Sequence, residues 1–238
     1  MNTPDMSSAI QRGMQKQFSL RQKQINQGER RVGWKAAFGA PQALDKFGIS
    51  APLVGFLTDK TLMQDGTTLV QADYAKPALE PEIAIHMGAG VSPGASLAEA
   101  KAAIRGLGPA IELADVTFPP DDPEEILAHN IYHRGLILGD CDTRFAGGEV
   151  SGLTGILTCN GNIVIDTSDV EAMTGRLGEI VRHFANFLAP FGGTIETGDV
   201  IIAGSLIPPY WVDQPLEFSY ELTPIGRLQV LFDAEQEI

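Results

Sequence analysis

Alternating apolar and polar positions over residues 76–86 predict a β-strand that carries two acids on one face. Glu80 and Glu82 are two residues apart, and residues i and i+2 of a strand point to the same side. Neighbouring carboxylates repel, so out of water one takes up a proton unless a cation lies between them. A divalent metal ion is the natural cation. The alternative is an ordinary amphipathic strand that turns Glu80, Glu82 and His86 toward water.

A second apolar run carries a third acid. Glu112 shares its predicted strand face with Ala110 and Ala114, whose small side chains leave room around the carboxylate. A buried, unpaired carboxylate is costly, so we interpret Glu112 as a functional residue. Lys35 follows Trp34 at the start of another apolar run, and on a strand the two side chains would point to opposite sides. Both a solvated lysine and a site residue are compatible with that position.

The spacing of apolar residues elsewhere predicts helices and further strands. Residues 1–28 carry a sparse helical stripe, which predicts an exposed helix or a partly ordered arm. Helices are also predicted over residues 40–46, from the Ser96–Glu99 capping box to about Gly106, from Pro123 onward, and from the Ser168–Glu171 capping box to Pro190. Strands are predicted over residues 53–57, 153–158, 162–166, 200–203, 216–222 and 228–232, with a hairpin turn at Asn160-Gly161.

The composition is that of a globular chain with an acidic surface. With 238 residues, 44% of them hydrophobic, the chain can bury one substantial core. A formal net charge of −13 argues against nucleic acid and anionic membrane as partners, because neither offers a counter-charge. No signal peptide is visible and no apolar run approaches the ~20 residues that span a membrane, so we expect a cytoplasmic protein. Cys141 and Cys159 are expected to be free thiols.

Two local motifs are chemically incomplete. Residues 90–94 have the G-x-S-x-G spacing of a hydrolase nucleophile elbow, but Pro93 lacks the N–H that the oxyanion hole requires. His129 and His133 are spaced as in a zinc-protease helix, but Asn130 stands where the general base belongs. We therefore expect neither chemistry, and we interpret the histidines as packing or substrate-facing groups, with packing favoured.

The three acids, Lys35 and the Gly204-Ser205 end of a predicted strand form one set of candidate site residues. Carboxylate oxygens suit Mg²⁺, Mn²⁺ or Ca²⁺, and a metal with few protein ligands keeps open positions for a substrate. A net-anionic protein that binds an acid must also concentrate positive charge locally, which a bound metal would do.

The order of these features along residues 32–232 resembles the fumarylacetoacetate hydrolase superfamily. Within it, the chain looks most like the branch of 2-keto-4-pentenoate hydratases and 4-oxalocrotonate decarboxylases. The matching motifs are Gly33-Trp34-Lys35, Glu80-Pro81-Glu82-Ile83-Ala84, Pro109-Ala110-Ile111-Glu112, Asn130 ahead of residues 135–139, Asn160-Gly161, and Thr197-Gly198-Asp199 followed by Gly204. Each motif is short, so the resemblance rests on their order and spacing.

The resemblance implies an α+β fold, in which a mixed β-sheet roll surrounds an acid-lined pocket and the helices are peripheral. The helical spacing places an N-terminal helix or arm over residues 1–30. The resemblance implies a single catalytic domain over residues 31–238 and a homo-oligomer. The three acids would carry the metal, and a small 2-oxo acid would chelate it through its carboxylate and keto oxygens. Lys35 would help to hold or protonate the enolate, with Asn130 and Ser205 as further catalytic residues.

Several reactions are open to such a site, because a metal beside an enolate oxygen assists hydration, decarboxylation and C–C hydrolysis alike. We expect a 2-keto-4-pentenoate hydratase-like lyase, with a 2-oxo acid decarboxylase or an acylpyruvate hydrolase as alternatives. Leu53 after Pro52, and the segment Tyr132-His133-Arg134, depart from the usual residues of the branch. They motivate a further alternative, a protein that binds metal and 2-oxo acid without catalysis. The simplest alternative leaves the acids solvated and without metal.

Overall fold

A computed structural model describes residues 7–234, which form five α-helices and thirteen strands. The helices are α1 (Ser8–Asn26), α2 (Pro41–Phe47), α3 (Leu97–Ala102), α4 (Pro123–Ala128) and α5 (Leu177–Leu188). The strands are β1 (Arg31–Ala37), β2 (Leu53–Thr58), β3 (Leu62–Met63), β4 (Thr67–Val70), β5 (Pro77–Met87), β6 (Ile104–Asp115), β7 (His133–Leu138), β8 (Thr154–Cys159), β9 (Asn162–Thr167), β10 (Val200–Ser205), β11 (Tyr210–Trp211), β12 (Leu216–Thr223) and β13 (Gly226–Asp233). None of the helices in residues 7–234 combines the length and apolar character that would carry it across a membrane.

The strands form two sheets. The larger has eight strands in the order β2-β1-β10-β5-β6-β7-β3, with β11 paired to β5. The smaller has five strands in the order β4-β13-β12-β8-β9. Most pairs are antiparallel, whereas β1–β10, β3–β7 and β4–β13 are parallel. The predicted α+β fold with a mixed β-sheet roll and peripheral helices is confirmed. The domain boundary near residue 30 and the homo-oligomer stay predictions.

The central strands β5 and β6 pair along almost their whole length. Successive side chains point to opposite faces, so Ile83 and Ile85 enter the main apolar core while Ala84 faces the other way. The second face carries a smaller buried cluster, which consists of Leu57, Ala84, Ala110, Leu136, Val200 and Ile202. Glu80 and Glu82 share the face of Ala84 and therefore stand beside this apolar cluster.

Helix α1 packs against α4 and does not stand free. Ile10, Met14 and Gln17 of α1 are buried. Gly13 approaches α4 so closely that a Cβ there would lie 2.8 Å from the Glu124 carbonyl oxygen. The prediction of an exposed helix is therefore wrong for one face of α1. The buried stripe includes Gly13 and Gln17, which are not apolar side chains, so the apolar spacing alone looked sparse. The first six residues of the predicted arm lie outside the described residues.

Two predicted helix boundaries are wrong. Helix α3 begins at its capping box as predicted but ends at Ala102, because Ile104 already pairs with β5 in the sheet. Helix α5 begins at Leu177 and not at the Ser168 capping box. Glu171 instead reaches forward to the true helix start, where its carboxylate accepts a hydrogen bond from the Leu177 N–H at 2.9 Å.

Two smaller predictions are confirmed. The β8–β9 hairpin turns at Asn160 and Gly161, whose φ values of 48° and 77° suit a two-residue turn. Cys141 and Cys159 are both free thiols. Turn chemistry and cysteine spacing are local properties, so the sequence alone was sufficient for both.

Strand β10 lies against the Cα of Gly33 in strand β1. A Cβ at this position would lie 1.9 Å from the Val200 carbonyl oxygen, and the φ of 154° also disfavours a side chain. Only a hydrogen atom fits there. The β1–β10 pairing, which places Lys35 beside Ile202, therefore depends on Gly33.

Gly33→Ala is expected to lower the free energy of unfolding by about 3 kcal/mol, because overpacking must push β1 away from β10. Gly28→Ala is the matched control, since φ there is 97° but nothing lies within 4 Å of the new Cβ. It should cost only about 1 kcal/mol. Denaturant titration measures both, and equal costs would show that backbone conformation, not the close approach, is what Gly33 provides.

Candidate metal centre

Three carboxylates meet where β5 pairs with β6. Glu80 lies directly opposite Glu112 across the antiparallel pair, and Glu82 follows two residues later on the same face. One oxygen from each carboxylate lies within 4.8 Å of the others. The structure therefore brings together the three acids that the sequence analysis selected. His86 shares their strand face but lies outside this cluster, hereafter the carboxylate cluster.

The carboxylate cluster is largely removed from water. Glu82 and Glu112 are fully buried, and Glu80 is half-buried. Burial raises the pKa of Glu80 to about 7, and the Glu112 carboxylate adds to the shift. Burial also raises the pKa of Glu82 well above its ordinary value, and repulsion from Glu112 and Glu80 contributes. The alternative in which these acids lie on solvated strand faces is therefore wrong.

Glu112 differs from the other two acids because it has cationic and polar partners. Lys35 is only 1% exposed and donates hydrogen bonds to Glu112 Oε1 and, at 3.2 Å, to the Ile131 carbonyl oxygen. Burial by itself would raise the pKa of Glu112, but the Lys35 ammonium and the His133 ring outweigh it and lower that pKa below its ordinary value. Glu112 is therefore the acid that remains ionised. Lys35 is not solvated, and its third N–H is left for another acceptor.

His133 is a site residue that the sequence did not identify. Its Nδ1 lies 2.7 Å from Glu112 Oε1, and its Nε2 lies 2.9 Å from Thr61 Oγ1. Burial lowers the pKa of His133 despite the adjacent carboxylate, so the ring is neutral and Nδ1 donates its proton to Glu112. An irregularity in the β6–β7 pairing skips Arg134 and turns His133 toward the acid. The preferred packing role is wrong for His133, while His129 lies outside the cluster with its side chain 60% exposed.

The end of β10 orients Glu82 and brings Ser205 beside it. The β10–β5 register shifts between Ile202 and Ser205, and Ser205 then pairs with Glu82. The Gly204 N–H donates to Glu82 Oε2 at 2.7 Å, from a backbone with φ of 99° that favours glycine. Ser205 Oγ accepts a hydrogen bond from the Ile207 N–H at 3.4 Å. Its hydroxyl proton can therefore be donated to a bound molecule.

Asn130 fixes a left-handed turn at the wall of the site. Asn130, Ile131 and Tyr132 have φ values of 51°, 53° and 60°, and each such non-glycine residue costs about 1 kcal/mol or more. The Asn130 Oδ1 accepts the Phe56 N–H at 2.8 Å, and its Nδ2 donates to the Phe56 carbonyl oxygen at 2.9 Å. Backbone atoms thus occupy both ends of its amide. This turn positions the Ile131 carbonyl oxygen so that it accepts a hydrogen bond from Lys35. A direct catalytic role of Asn130 stays a prediction.

A cavity of about 300 Å³ adjoins the carboxylate cluster. Lys35, Glu80 and Ser205 contribute polar groups to its lining, and most other lining side chains are apolar. A small concave site with a few converging polar groups is the usual form of a ligand pocket. A molecule bound here would meet the Lys35 ammonium and the carboxylate cluster together.

The carboxylate cluster fits a divalent cation. Within the described residues, Glu82 Oε1 and Glu112 Oε2 are buried without any hydrogen-bond partner, which is costly for carboxylate oxygens. Such oxygens are the ligands that Mg²⁺, Mn²⁺ and Ca²⁺ prefer. Three ionised carboxylates beside the single Lys35 ammonium would leave two negative charges, which a divalent cation balances. Both the oxygen donors and the charge therefore suit such an ion.

Comparison with known proteins gives related enzymes, although no protein-family model matches the chain. A 4-oxalocrotonate decarboxylase from a Pseudomonas species is 26% identical over 235 residues, which cover 95% of this chain and 88% of the relative. A 2-hydroxyhexa-2,4-dienoate hydratase from Comamonas testosteroni is 27% identical over 186 residues, which cover 76% of this chain and 70% of the relative. The sequence-based prediction of an enzyme agrees with both.

A solved structure has the same fold. The 4-oxalocrotonate decarboxylase from Pseudomonas putida G7, complexed with magnesium and adipate, has a TM-score of 0.84 at 23% identity over 96% of this chain and 87% of that chain. The magnesium in that structure agrees with the predicted class of metal. The curated relatives and the shared fold therefore support the resemblance to the fumarylacetoacetate hydrolase superfamily, in the branch of 2-hydroxydienoate hydratases and 4-oxalocrotonate decarboxylases, that the ordered motifs predicted.

Proposed function

We propose that this enzyme acts on a small 2-oxo acid or its 2-hydroxy-dienoic enol, as a metal-dependent lyase of the 2-keto-4-pentenoate hydratase kind. Glu80, Glu82 and Glu112 would hold Mg²⁺, or Mn²⁺ or Ca²⁺ in its place. The observation that carries the proposal is the buried carboxylate cluster with the buried Lys35 ammonium beside a small apolar cavity. Such a site can bind an anion that carries two oxygen ligands.

Negative charge that develops on the 2-oxo oxygen is the chemical problem for such a reaction. When bound, a divalent cation supplies Lewis-acid polarisation of the 2-oxo group. Lys35 supplies a second positive charge, and its position is fixed because Glu112 and Ile131 accept two of its N–H groups. The third N–H donates to the substrate oxygen. A buried donor that is already held in place costs little reorganisation during the reaction.

Neighbouring groups keep the carboxylates and the lysine in position. The Gly204 N–H fixes the orientation of Glu82, and the His133 ring fixes that of Glu112. Asn130 holds the turn that carries the Ile131 carbonyl, and this carbonyl accepts a hydrogen bond from Lys35. Asn130 therefore positions Lys35 indirectly. The Ser205 hydroxyl donates to the substrate carboxylate.

Hydration, decarboxylation and C–C hydrolysis place charge on the same oxygen and differ at the carbons beyond it. The hydratase relative supports hydration, and the decarboxylase relatives support loss of CO₂ as the alternative. Acylpyruvate hydrolysis is the remaining possibility in this superfamily. A Mg²⁺-supplemented panel of 2-oxo and 2-hydroxy-dienoic acids, followed by ultraviolet absorbance and product mass, separates the three. Gain of water supports the proposal, whereas loss of CO₂ or chain cleavage identifies an alternative.

A protein that binds metal and 2-oxo acid without catalysis gives a different pattern in the same panel. Pyruvate or oxalate would then raise the melting temperature in the presence of Mg²⁺ while no acid is consumed. Turnover of any panel member at about 1 per second or faster excludes this alternative. Leu53, one residue that motivates it, is a buried core residue of β2, so its departure from the usual residue is accommodated by packing.

Mg²⁺ affinity is expected to rise with pH between about pH 5.5 and 8, because metal binding must displace carboxyl protons. Burial raises the pKa of Glu80 to about 7 and also raises the pKa of Glu82 well above its ordinary value, so the metal-free cluster holds protons at neutral pH. Calorimetry in two buffers of different ionisation enthalpy should show proton release on binding. In Glu80→Gln the release should fall. Affinity that is flat across this range would contradict the assignment.

Glu82→Gln and Glu112→Gln are each expected to weaken Mg²⁺ binding by about tenfold or more and to reduce turnover to match, because each removes a charged ligand. Glu149→Gln is the matched control, an exposed acid outside the cluster that should change neither quantity. Binding is measured by calorimetry and turnover at a Mg²⁺ concentration near the wild-type Kd. Full turnover of either cluster variant under these conditions would count heavily against the proposed metal ligands.

Lys35→Met is expected to separate catalysis from metal binding. The substitution should lower kcat about 100-fold, since a fixed proton donor is lost. Mg²⁺ affinity should stay the same or rise, because the ammonium that competes for Glu112 is gone. Steady-state kinetics and calorimetry on one preparation give both quantities. Loss of Mg²⁺ binding with an unchanged kcat at saturating metal would reverse the assigned roles.

A further inference from the structure

We infer that the substrate has an uncharged hydrocarbon end, so that the preferred 2-oxo acid is a monocarboxylate. The inference rests on the proposed function, because it assumes that the 2-oxo carboxylate end lies at the carboxylate cluster. It concerns the opposite end of the molecule, which would lie along the outer wall of the 300 Å³ cavity. That wall has a chemistry that excludes a second carboxylate.

The wall next to the carboxylate cluster is built from small apolar side chains. Moving outward along β5 and β6 from the opposed pair Glu80 and Glu112, the next pair on the same face is Ala78 opposite Ala114. Val116 follows on the β6 side and lines the cavity as well. The other apolar lining side chains include Ala40, Ala43, Met173, Ile207, Pro208 and Trp211. A hydrocarbon chain leaving the cluster would therefore contact methyl and methylene groups.

Within the part of the chain that the structure describes, the lining offers no unpaired cation for a second carboxylate. Among the described residues that line the cavity, Lys35 is the one basic side chain, and it is already paired with Glu112. The hydroxyl groups further along the wall are also engaged. Tyr132 donates to the Phe118 carbonyl oxygen at 3.1 Å, and Thr174 donates to the Gly175 carbonyl oxygen at 3.2 Å. A carboxylate placed against this wall would be desolvated without a partner, which is costly.

Two lysines contact residues that line the cavity but do not line it themselves, so they do not change this conclusion. Lys46 is bound to Asp121 and donates to the Pro120 carbonyl oxygen at 2.7 Å. Lys76 is exposed, and its Nζ lies 4.2 Å from the centroid of the Trp211 ring, whereas Trp211 itself lines the cavity. The Lys76 ammonium therefore interacts with the Trp211 ring and with solvent. The net charge of −13 further disfavours a dianion over a monoanion.

Two six-carbon probes that differ only at the far end test the inference. Calorimetry at saturating Mg²⁺ compares 2-oxohexanoate, which ends in a methyl group, with 2-oxohexanedioate, which ends in a carboxylate. We expect the monocarboxylate to bind at least about tenfold more tightly to the wild-type protein. Lys76→Gln should leave this ratio unchanged, because the lysine lies outside the cavity lining.

Val116→Arg places a cation in the half-buried part of the wall and should shift the ratio by at least about tenfold toward the dicarboxylate. Val116→Leu is the matched control, which keeps the wall apolar and should retain the wild-type preference. Circular dichroism checks that both variants fold. If Val116→Arg does not fold, the comparison of the two probes on the wild-type protein still decides the question.

The possible outcomes separate this inference from the proposed function. Equal or tighter binding of the dicarboxylate to the wild-type protein would overturn the inference while leaving a Mg²⁺-dependent 2-oxo acid site in place. If that binding were then lost in Lys76→Gln, Lys76 would be the residue that recognises the second carboxylate. Mg²⁺-dependent binding of neither probe would overturn the proposed function, and the inference with it.

Discussion

Repulsion among three carboxylates, forced together by the pairing of β5 with β6, is the constraint on which the rest of the site depends. The register sets Glu80 opposite Glu112, with Glu82 on the same face. Burial makes the repulsion expensive, and each neighbour relieves part of it. Lys35 and His133 stabilise the charge on Glu112, and the Gly204 N–H binds one oxygen of Glu82. Two buried oxygens still lack a partner in the described residues, which a divalent cation would supply.

The fold holds these groups in place through features that cost stability. Gly33 permits the close β1–β10 contact beside Lys35, and a left-handed turn through Ile131 gives the lysine its second acceptor. Asn130 holds that turn against the Phe56 backbone. Strained backbone that persists next to buried charges is typical of functional sites, where surrounding structure over-determines the geometry. The burial of Glu82, Glu112 and Lys35 beside this apolar wall lowers the local dielectric constant and strengthens the charge interactions among them.

Local patterns predicted most strands, the Asn160-Gly161 turn and the three acids. Strand alternation and turn type depend on residues that are close together in the sequence, so the sequence alone reveals them. Non-local features were not predictable in that way. Helix α3 ends early because Ile104 pairs with β5, and α5 starts late because Glu171 caps it from a distance. His133 was missed because an irregularity in strand pairing at Arg134, invisible in one sequence, decides where its ring points. The sequence therefore favoured a packing role for this histidine.

The central claim is that a divalent cation lies among Glu80, Glu82 and Glu112. Diffraction from crystals of the protein grown with Mn²⁺, recorded near the manganese absorption edge, tests it most directly, because anomalous difference density locates the ion without reference to activity. The account predicts one strong peak per chain within coordination distance of all three carboxylates, lost in Glu82→Gln crystals. A peak elsewhere, or none at a Mn²⁺ concentration that saturates binding in solution, would contradict it.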